Sequence, residues 1–402
     1  MLFQTFDDKQ ECVAVYCNDQ LTVGEIPDNP TKTWSYAQYL KGRDIQYASI
    51  YAEGASIGDA CPQELKSEWE DVTHKMMAFA TSFKESKVSL RENCYLDLMP
   101  RHFLVRFCDI KNRITKHILE TRQKPEEYSF YREMQEFVTD IKYRPLNIDL
   151  NEIVAGVADP RTLEFYQKVS NSSNYISYNI FGSVTGRLTT EKDSFPWLTM
   201  PARYRKIIKP TNDWIVTIDM NAAEIRTILA LLGHEQVDGD LYDWIDTTMF
   251  DGQLGRTIIK KVVTSWLYGS NSPEFVQHQQ VLEKLFDKQK LRQMYWDGQY
   301  VNTPFGRKIA ADEYHSISYL GQSTFIDLFH RQVLKVDKFL ENKKTKILGL
   351  LHDECIIDLA DEDKADLKEI LSIFGDTRYG KYKTKVKIGT NFGDVRELKK
   401  KS

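Results

Sequence analysis

The chain has 402 residues, of which 42% are hydrophobic and 28% charged, an ordinary globular balance that excludes an intrinsically disordered polymer. Twenty glycines and 12 prolines are few for this length and point to long regular elements. The formal charge is only −4, so no global signal marks a nucleic-acid binder and any such signal must be local.

At the amino end, Met1-Leu2-Phe3-Gln4-Thr5-Phe6-Asp7-Asp8 lacks the basic start and apolar core of a signal peptide. No run approaches the ~18 apolar residues of a membrane span, so a cytoplasmic protein is expected (host-cell cytoplasm if it is viral). Cys12, Cys17, Cys61, Cys94, Cys108 and Cys355 form no C-x-x-C pair and no zinc spacing with histidine, which suits free thiols in a reducing compartment. Glu11–Cys17 and Leu21–Ile26 flank Asn18-Asp19-Gln20 as a candidate hairpin, and Ala48–Ala52 is a third candidate strand. From Pro62 to about Arg144 long amphipathic runs predict helices over Glu64–Lys84, Arg101–Arg122 and Glu126–Ile141.

Residues 101–124 carry Arg101, Arg106, Lys111, Arg113, Lys116, Arg122 and Lys124 against Asp109 and Glu120, a local excess of +5. That excess suits phosphates, with a solvated helix face as the competing reading. Further along, Trp214–Ile218 reads as a strand, Glu224–Leu232 and residues 254–267 as helices, and Ile347–Leu351 and Cys355–Leu359 as strands. The last two strands meet across a turn at His352-Asp353-Glu354, and Lys399-Lys400-Lys401 forms a basic tail.

Four constellations carry chemistry. In Ile218-Asp219-Met220-Asn221-Ala222-Ala223-Glu224-Ile225-Arg226 an apolar strand delivers an aspartate and turns directly into a helix. This presents a carboxylate and the following backbone carbonyl to a hard, oxygen-seeking cation such as Mg2+. Asp353 in the turn between two apolar strands is a second candidate, and two carboxylates on separate strands suit a two-ion phosphoryl-transfer clamp. A helix cap at Asp219 and a turn former at Asp353 are the plainer alternatives. Arg256, Lys260, Thr264 and Tyr268 recur every fourth residue along one helical stripe, cations for a triphosphate followed by an aromatic ring for a base. Ser183-Val184-Thr185-Gly186-Arg187-Leu188 alone reads as an ordinary turn.

Their order is more telling than any one of them. T-G-R-L, D-x4-E-x-R, R-x3-K-x7-Y-G, Q-S-T-x2-D and H-D-E, followed by Gly389-Thr390-Asn391-Phe392, resemble the family A (Pol I-like) DNA polymerases from about Tyr178 to the end. The resemblance implies an α+β right-hand polymerase fold, with an antiparallel palm sheet, small helical fingers and a helical thumb. It further implies a compact, phage-like enzyme without a 3′→5′ exonuclease domain. By that likeness Asp219 and Asp353 hold two Mg2+ ions (or Mn2+), with the Met220 carbonyl completing one site. Arg256 and Lys260 bind the triphosphate, and Lys260 is placed to protonate pyrophosphate. Glu224, partnered by Tyr268, excludes a 2′-hydroxyl, and Arg226 braces the palm around Glu224. Arg187 and Gln322 meet the primer–template minor groove, and His352 lies by the primer end. The implied partners are primer–template DNA and dNTPs, with any exonuclease, helicase–primase or processivity factor separate and no membrane involved.

The expected organisation is a strand-rich lead-in at 1–60, a thumb at 61–150 and a palm at 151–233 and 300–402, with fingers at 234–299. Arg101, Arg106, Lys111 and Arg113 would grip duplex DNA from the thumb. Thr264 stands where the family places Phe or Tyr, Ser318 where Asn is usual and Met220 where Tyr is common. The motif around Lys260–Ser270 is also similar to single-subunit RNA polymerases; Glu224 and the T-G-R-L and H-D-E forms favour deoxynucleotides. A catalytically inactive DNA-binding homologue is the remaining alternative.

Overall fold

A computed structural model of the chain describes residues 1–7, 12–24, 26–88, 93–270 and 273–398. Glu11, Glu25 and the basic tail Lys399–Lys401 lie outside the described residues. The chain divides into two compact units, Met1–Tyr143 and Arg144–Ser402.

In the first unit, β1 (Phe3–Asp7), β2 (Cys12–Cys17) and β3 (Gln20–Val23) form an antiparallel meander. Its turn places Asn18 and Asp19 at positive φ, which short side chains that bond their own backbone tolerate best. Three helices follow: α1 (Gln63–Glu85), α2 (Arg101–Thr121) and α3 (Tyr128–Lys142). Phe6, Ala14, Tyr16 and Leu21 of the meander share one core with Val72 of α1 and with Phe103, Leu104, Cys108, Ile110 and Ile114 of α2. Each large apolar side chain buried this way contributes about 1.5–3 kcal/mol, so meander and helices stabilise each other as one body.

The expected strand at Ala48–Ala52 is corrected: Ala48–Tyr51 forms one helical turn with all four side chains buried. Four residues buried all round have no periodicity to separate strand from buried helix. Here Tyr47 N–H donates to the Tyr128 hydroxyl at 2.9 Å, which directs the chain onto α3.

The second unit is built on a five-stranded antiparallel sheet. Its central strand β4 (Trp214–Met220) leads through the turn at 221–222 into α4 (Ala223–Leu231), followed by α5 (Leu241–Phe250) and α6 (Arg256–Leu267). A small hairpin, β5 (Tyr300–Asn302) and β6 (Lys308–Ala310), precedes the long helix α7 (Glu313–Phe339). Strands β7 (Lys346–Leu351), β8 (Glu354–Leu359), β9 (Thr384–Gly389) and β10 (Arg396–Glu397) complete the sheet in the order β7-β8-β4-β9-β10. Ile215, Val216, Thr217 and Ile218 are all buried, so both faces of β4 are covered and it reads as a continuous apolar run.

Helices α4, α5 and α6 share a core of Ile225, Ile228, Ile245, Ile259, Val263 and Trp266. Gly321 brings α7 close to α4: a Cβ there would lie 2.9 Å from the Ile228 Cδ1. Among the described residues no helix is long and apolar enough to cross a membrane.

Candidate active site

Asp219 is the penultimate residue of β4, in register with Glu354 of β8 on one side and Lys385 of β9 on the other. Asp353 lies in the tight β7–β8 turn, where His352 adopts a left-handed φ of 57° and both side chains are exposed. Burial, then the nearby charges of Asp353 and Glu354, push the Asp219 carboxyl up to about 7, with Lys385 and Lys387 pulling the other way. The Asp353 charge thus raises the cost of ionising Asp219. A hard divalent cation relieves that cost, and this oxygen donor set fits Mg2+.

Among the described residues no three His, Cys, Asp or Glu side chains converge as a metal site. An ion held by Asp219 and Asp353 would draw its further oxygens from backbone, water or substrate phosphate, which is how Mg2+ is usually bound. The Met220 side chain is buried, which leaves only its backbone carbonyl as a donor.

The turn that carries Asp353 is fixed from behind. The Tyr178 hydroxyl donates to the Leu350 carbonyl at 2.6 Å and accepts from the Leu350 N–H at 2.8 Å. Trp197 Nε1 donates to the same carbonyl at 2.9 Å. Gly349 sits at a register shift in β7, and a Cβ there would crowd Ile176, Trp197 and Tyr178 at 3.0–3.1 Å. Phe392 stacks on Trp197 at 5.5 Å, so Gly389-Thr390-Asn391-Phe392 closes the back of this hairpin.

Four side chains from distant segments close into a ring of hydrogen bonds. Arg187 Nη2 donates to Glu224 Oε1 at 2.6 Å, and the Tyr268 hydroxyl donates to Glu224 Oε2 at 3.1 Å. Gln322 Nε2 donates to the Tyr268 hydroxyl at 3.0 Å, while its Oε1 accepts from Arg187 Nη1 at 3.4 Å. Burial raises the Glu224 pKa, Arg187 and the Tyr268 hydroxyl lower it, and the charge of Asp353 raises it further, which relates the ring to the acidic corner.

Along α6 the stripe expected at Arg256, Lys260, Thr264 and Tyr268 faces outward, opposite the buried Ile259, Val262, Val263 and Trp266. Lys260 makes no ion pair among the described residues. Arg256 is held by Asp240, with Nε and Nη2 both 3.1 Å from Oδ2, and Asn221 Nδ2 donates to the same oxygen at 2.9 Å. Fully buried Arg226 donates to the carbonyls of Asn221 at 2.9 Å, Val237 at 2.8 Å and Gly239 at 2.7 Å. Arg226 thus braces the β4–α4 turn and the 237–239 loop, and among the described residues it makes no hydrogen bond or ion pair with Glu224. In that turn Ala222 is left-handed at φ 49°, a conformation that costs a non-glycine residue about 1–2 kcal/mol.

Asp240 and Asn221 were missed from sequence. An aspartate at the start of a helix reads as a cap, and Asp240 does cap α5, accepting from the Tyr242 N–H at 3.0 Å.

The basic patch of the first unit is largely committed to its own neighbours. Arg106 pairs with Asp71 at 2.8 Å, and Arg113 with Glu68 at 2.8 Å and Asp109 at 3.4 Å. Arg101 Nη2 donates to the Leu21 carbonyl at 2.5 Å, and the Lys111 ammonium lies 5.5 Å from the Phe107 ring with its pKa lowered by burial. Lys116 pairs with Glu120 at 3.9 Å.

Comparison with solved structures finds the fold. The POL domain of Pol1 from M. smegmatis, solved in complex with a DNA primer-template and dNTP, aligns with a TM-score of 0.66 and 12% identity. The alignment covers 92% of this chain and 87% of that one. The α+β chain has a right-hand polymerase fold. No family model matches the sequence, and no curated protein matches it.

Proposed function

We propose that the chain is a template-directed DNA polymerase of the family A type, which adds deoxynucleotides to a primer 3′-hydroxyl. The observation that carries this reading is the ring of Arg187, Glu224, Tyr268 and Gln322 beside the Asp219–Asp353 corner, within a polymerase fold. A capped loop or a surface ion pair does not require four residues of separate segments to close on one carboxylate.

In the reaction the 3′-oxygen attacks the α-phosphorus and the bond to pyrophosphate breaks. Two Mg2+ ions held by Asp219, Asp353 and the Met220 carbonyl would supply charge neutralisation at the attacking and leaving oxygens. Arg256 and the exposed Lys260 bind the triphosphate from the exposed stripe of α6, and Lys260 gives a proton to the departing pyrophosphate. Thr264, one turn further along, faces the nucleotide, and Tyr268 presents its ring to the base. Glu224, fixed by Arg187 and Tyr268, fills the space a 2′-hydroxyl would need. Arg187 and Gln322 present donors to the minor groove, where acceptors common to all base pairs allow shape checking without sequence choice. His352 stands at the primer end.

In this reading residues 151–233 and 300–402 are palm, 234–299 fingers and 61–150 thumb. The meander at 1–60 belongs with the thumb helices because they share one core.

Primer extension with each dNTP, each NTP and a dideoxy terminator tests the proposal. The expected result is templated dNTP addition. Efficient NTP addition, or no templated addition, overturns it.

A further inference from the structure

We infer that Arg307 and Asp327 form a positioning clamp that holds the Thr185-Gly186-Arg187 turn in place, so that Arg187 can check the primer terminus. The inference rests on the reading of Arg187 given above. Arg307 begins at the β5–β6 hairpin and reaches Asp327 of α7 through two contacts, Nη2 to Oδ1 at 2.6 Å and Nε to Oδ2 at 3.2 Å. The Asp327 side chain is 2% exposed and that of Arg307 13%, so this is an interior fork-to-carboxylate pair.

The other side of the guanidinium is occupied by Gly186. That glycine has φ +83°, and a Cβ there would lie 2.5 Å from Arg307 Nη2 and 2.7 Å from Cζ. No side chain fits between the turn and the clamp, so the turn backbone rests directly against the planar guanidinium. The next residue is Arg187, which reaches Glu224 and Gln322. Gln322 and Asp327 share α7, so one helix supplies both the anchor of the clamp and a partner of the residue being positioned. A misplaced Arg187 loses geometry first, and a geometric check is sensitive to small displacements.

A planar fork is required, which makes Arg307→Lys the informative change: it keeps the charge and loses the two-contact geometry. Gly186→Ala is the complementary variant, because it keeps both side chains of the ion pair and pushes a methyl group against the guanidinium from the turn. The readout is the ratio of kcat/KM on matched and mismatched primer termini, with thermal melts to confirm folding. Arg307→Lys and Gly186→Ala should each lower that ratio roughly ten-fold, a change of about 1.4 kcal/mol, and Arg187→Ala should lower it by as much.

In the Arg187→Ala background, Arg307→Lys should add nothing, because both changes remove one interaction. A general structural defect instead slows both termini alike and multiplies with Arg187→Ala. An unchanged ratio in the folded single variants, or effects that multiply, overturns the inference. A wild-type protein that does not extend primers overturns the functional reading instead, so the two failures are distinct.

Discussion

Replacing Glu224 with alanine separates the role of this carboxylate in nucleotide choice from its role in the fold. The side chain is 18% exposed and receives two hydrogen bonds, from Arg187 at 2.6 Å and from Tyr268 at 3.1 Å. Bonds to charged groups are worth about 1.5–3 kcal/mol each when buried. Arg187 is 39% exposed and Tyr268 similarly so, and both regain water when the carboxylate is lost. The burial penalty that raises the Glu224 pKa is also relieved. The net stability cost is therefore about 1–2 kcal/mol, a few degrees of melting temperature.

The effect on selectivity is larger, because the space under the sugar opens. A fall of roughly 100-fold in the preference for dNTP over NTP is expected, equivalent to about 2.7 kcal/mol of barrier. Glu224→Gln keeps the volume and one acceptor, so it should stay within roughly ten-fold of wild type. Single-turnover incorporation of paired dNTP and NTP substrates opposite one template base measures both. A folded Glu224→Ala protein with an unchanged ratio would refute the sugar-gating role.

Other outcomes follow from particular contacts. Tyr178→Phe strips the buried Leu350 N–H of its acceptor, so denaturant unfolding should show a loss of about 1–3 kcal/mol together with slower extension. Burial, with Arg307 adding to it, pushes the His330 pKa down to about 3. His330 therefore stays neutral in the folded protein, and stability present above pH 6.5 is lost as pH falls toward 3. His330→Gln should reduce the stability difference between pH 7.5 and pH 5 by about 2 kcal/mol; an unchanged difference in denaturant titrations counts against that assignment. In the first unit, each cation that meets a phosphate should contribute roughly 0.9 to the slope of log affinity against log salt. Because Arg106 and Arg113 are already paired with Glu68 and Asp71, replacing both with Gln should change the slope by less than two such steps. Anisotropy titrations in NaCl measure this, and a full two-step change would show that the pairs open on binding DNA.

Much of the site was legible because its chemistry is local in sequence. The run Ile218–Arg226 announces a strand that turns into a helix, and the four-residue spacing from Arg256 to Tyr268 announces an exposed stripe. The acidic turn at His352–Glu354 is bounded by apolar strands that form as the sequence indicates. What escaped is set by tertiary contact. Nothing in a run of four buried residues distinguishes the helical turn Ala48–Tyr51 from a strand. A left-handed alanine at 222 carries no sequence signature; it sits in the turn where buried Arg226 draws in the Asn221 carbonyl together with those of Val237 and Gly239. The +5 excess of residues 101–124 was countable, but its neutralisation by Glu68 and Asp71 depends on how α1 lies against α2. Asp240 reads as a helix cap until Arg256 is seen against it.

Asp219 is the residue on which the chemical reading turns. Single-turnover extension of a primed template by wild-type and Asp219→Asn protein, measured beside DNA affinity, tests it most directly. The expected result is a fall in rate of roughly 1,000-fold or more, about 4 kcal/mol of barrier, with primer–template binding nearly unchanged. Comparable extension rates for the two proteins would contradict the assignment of Asp219 and Asp353 as the catalytic pair.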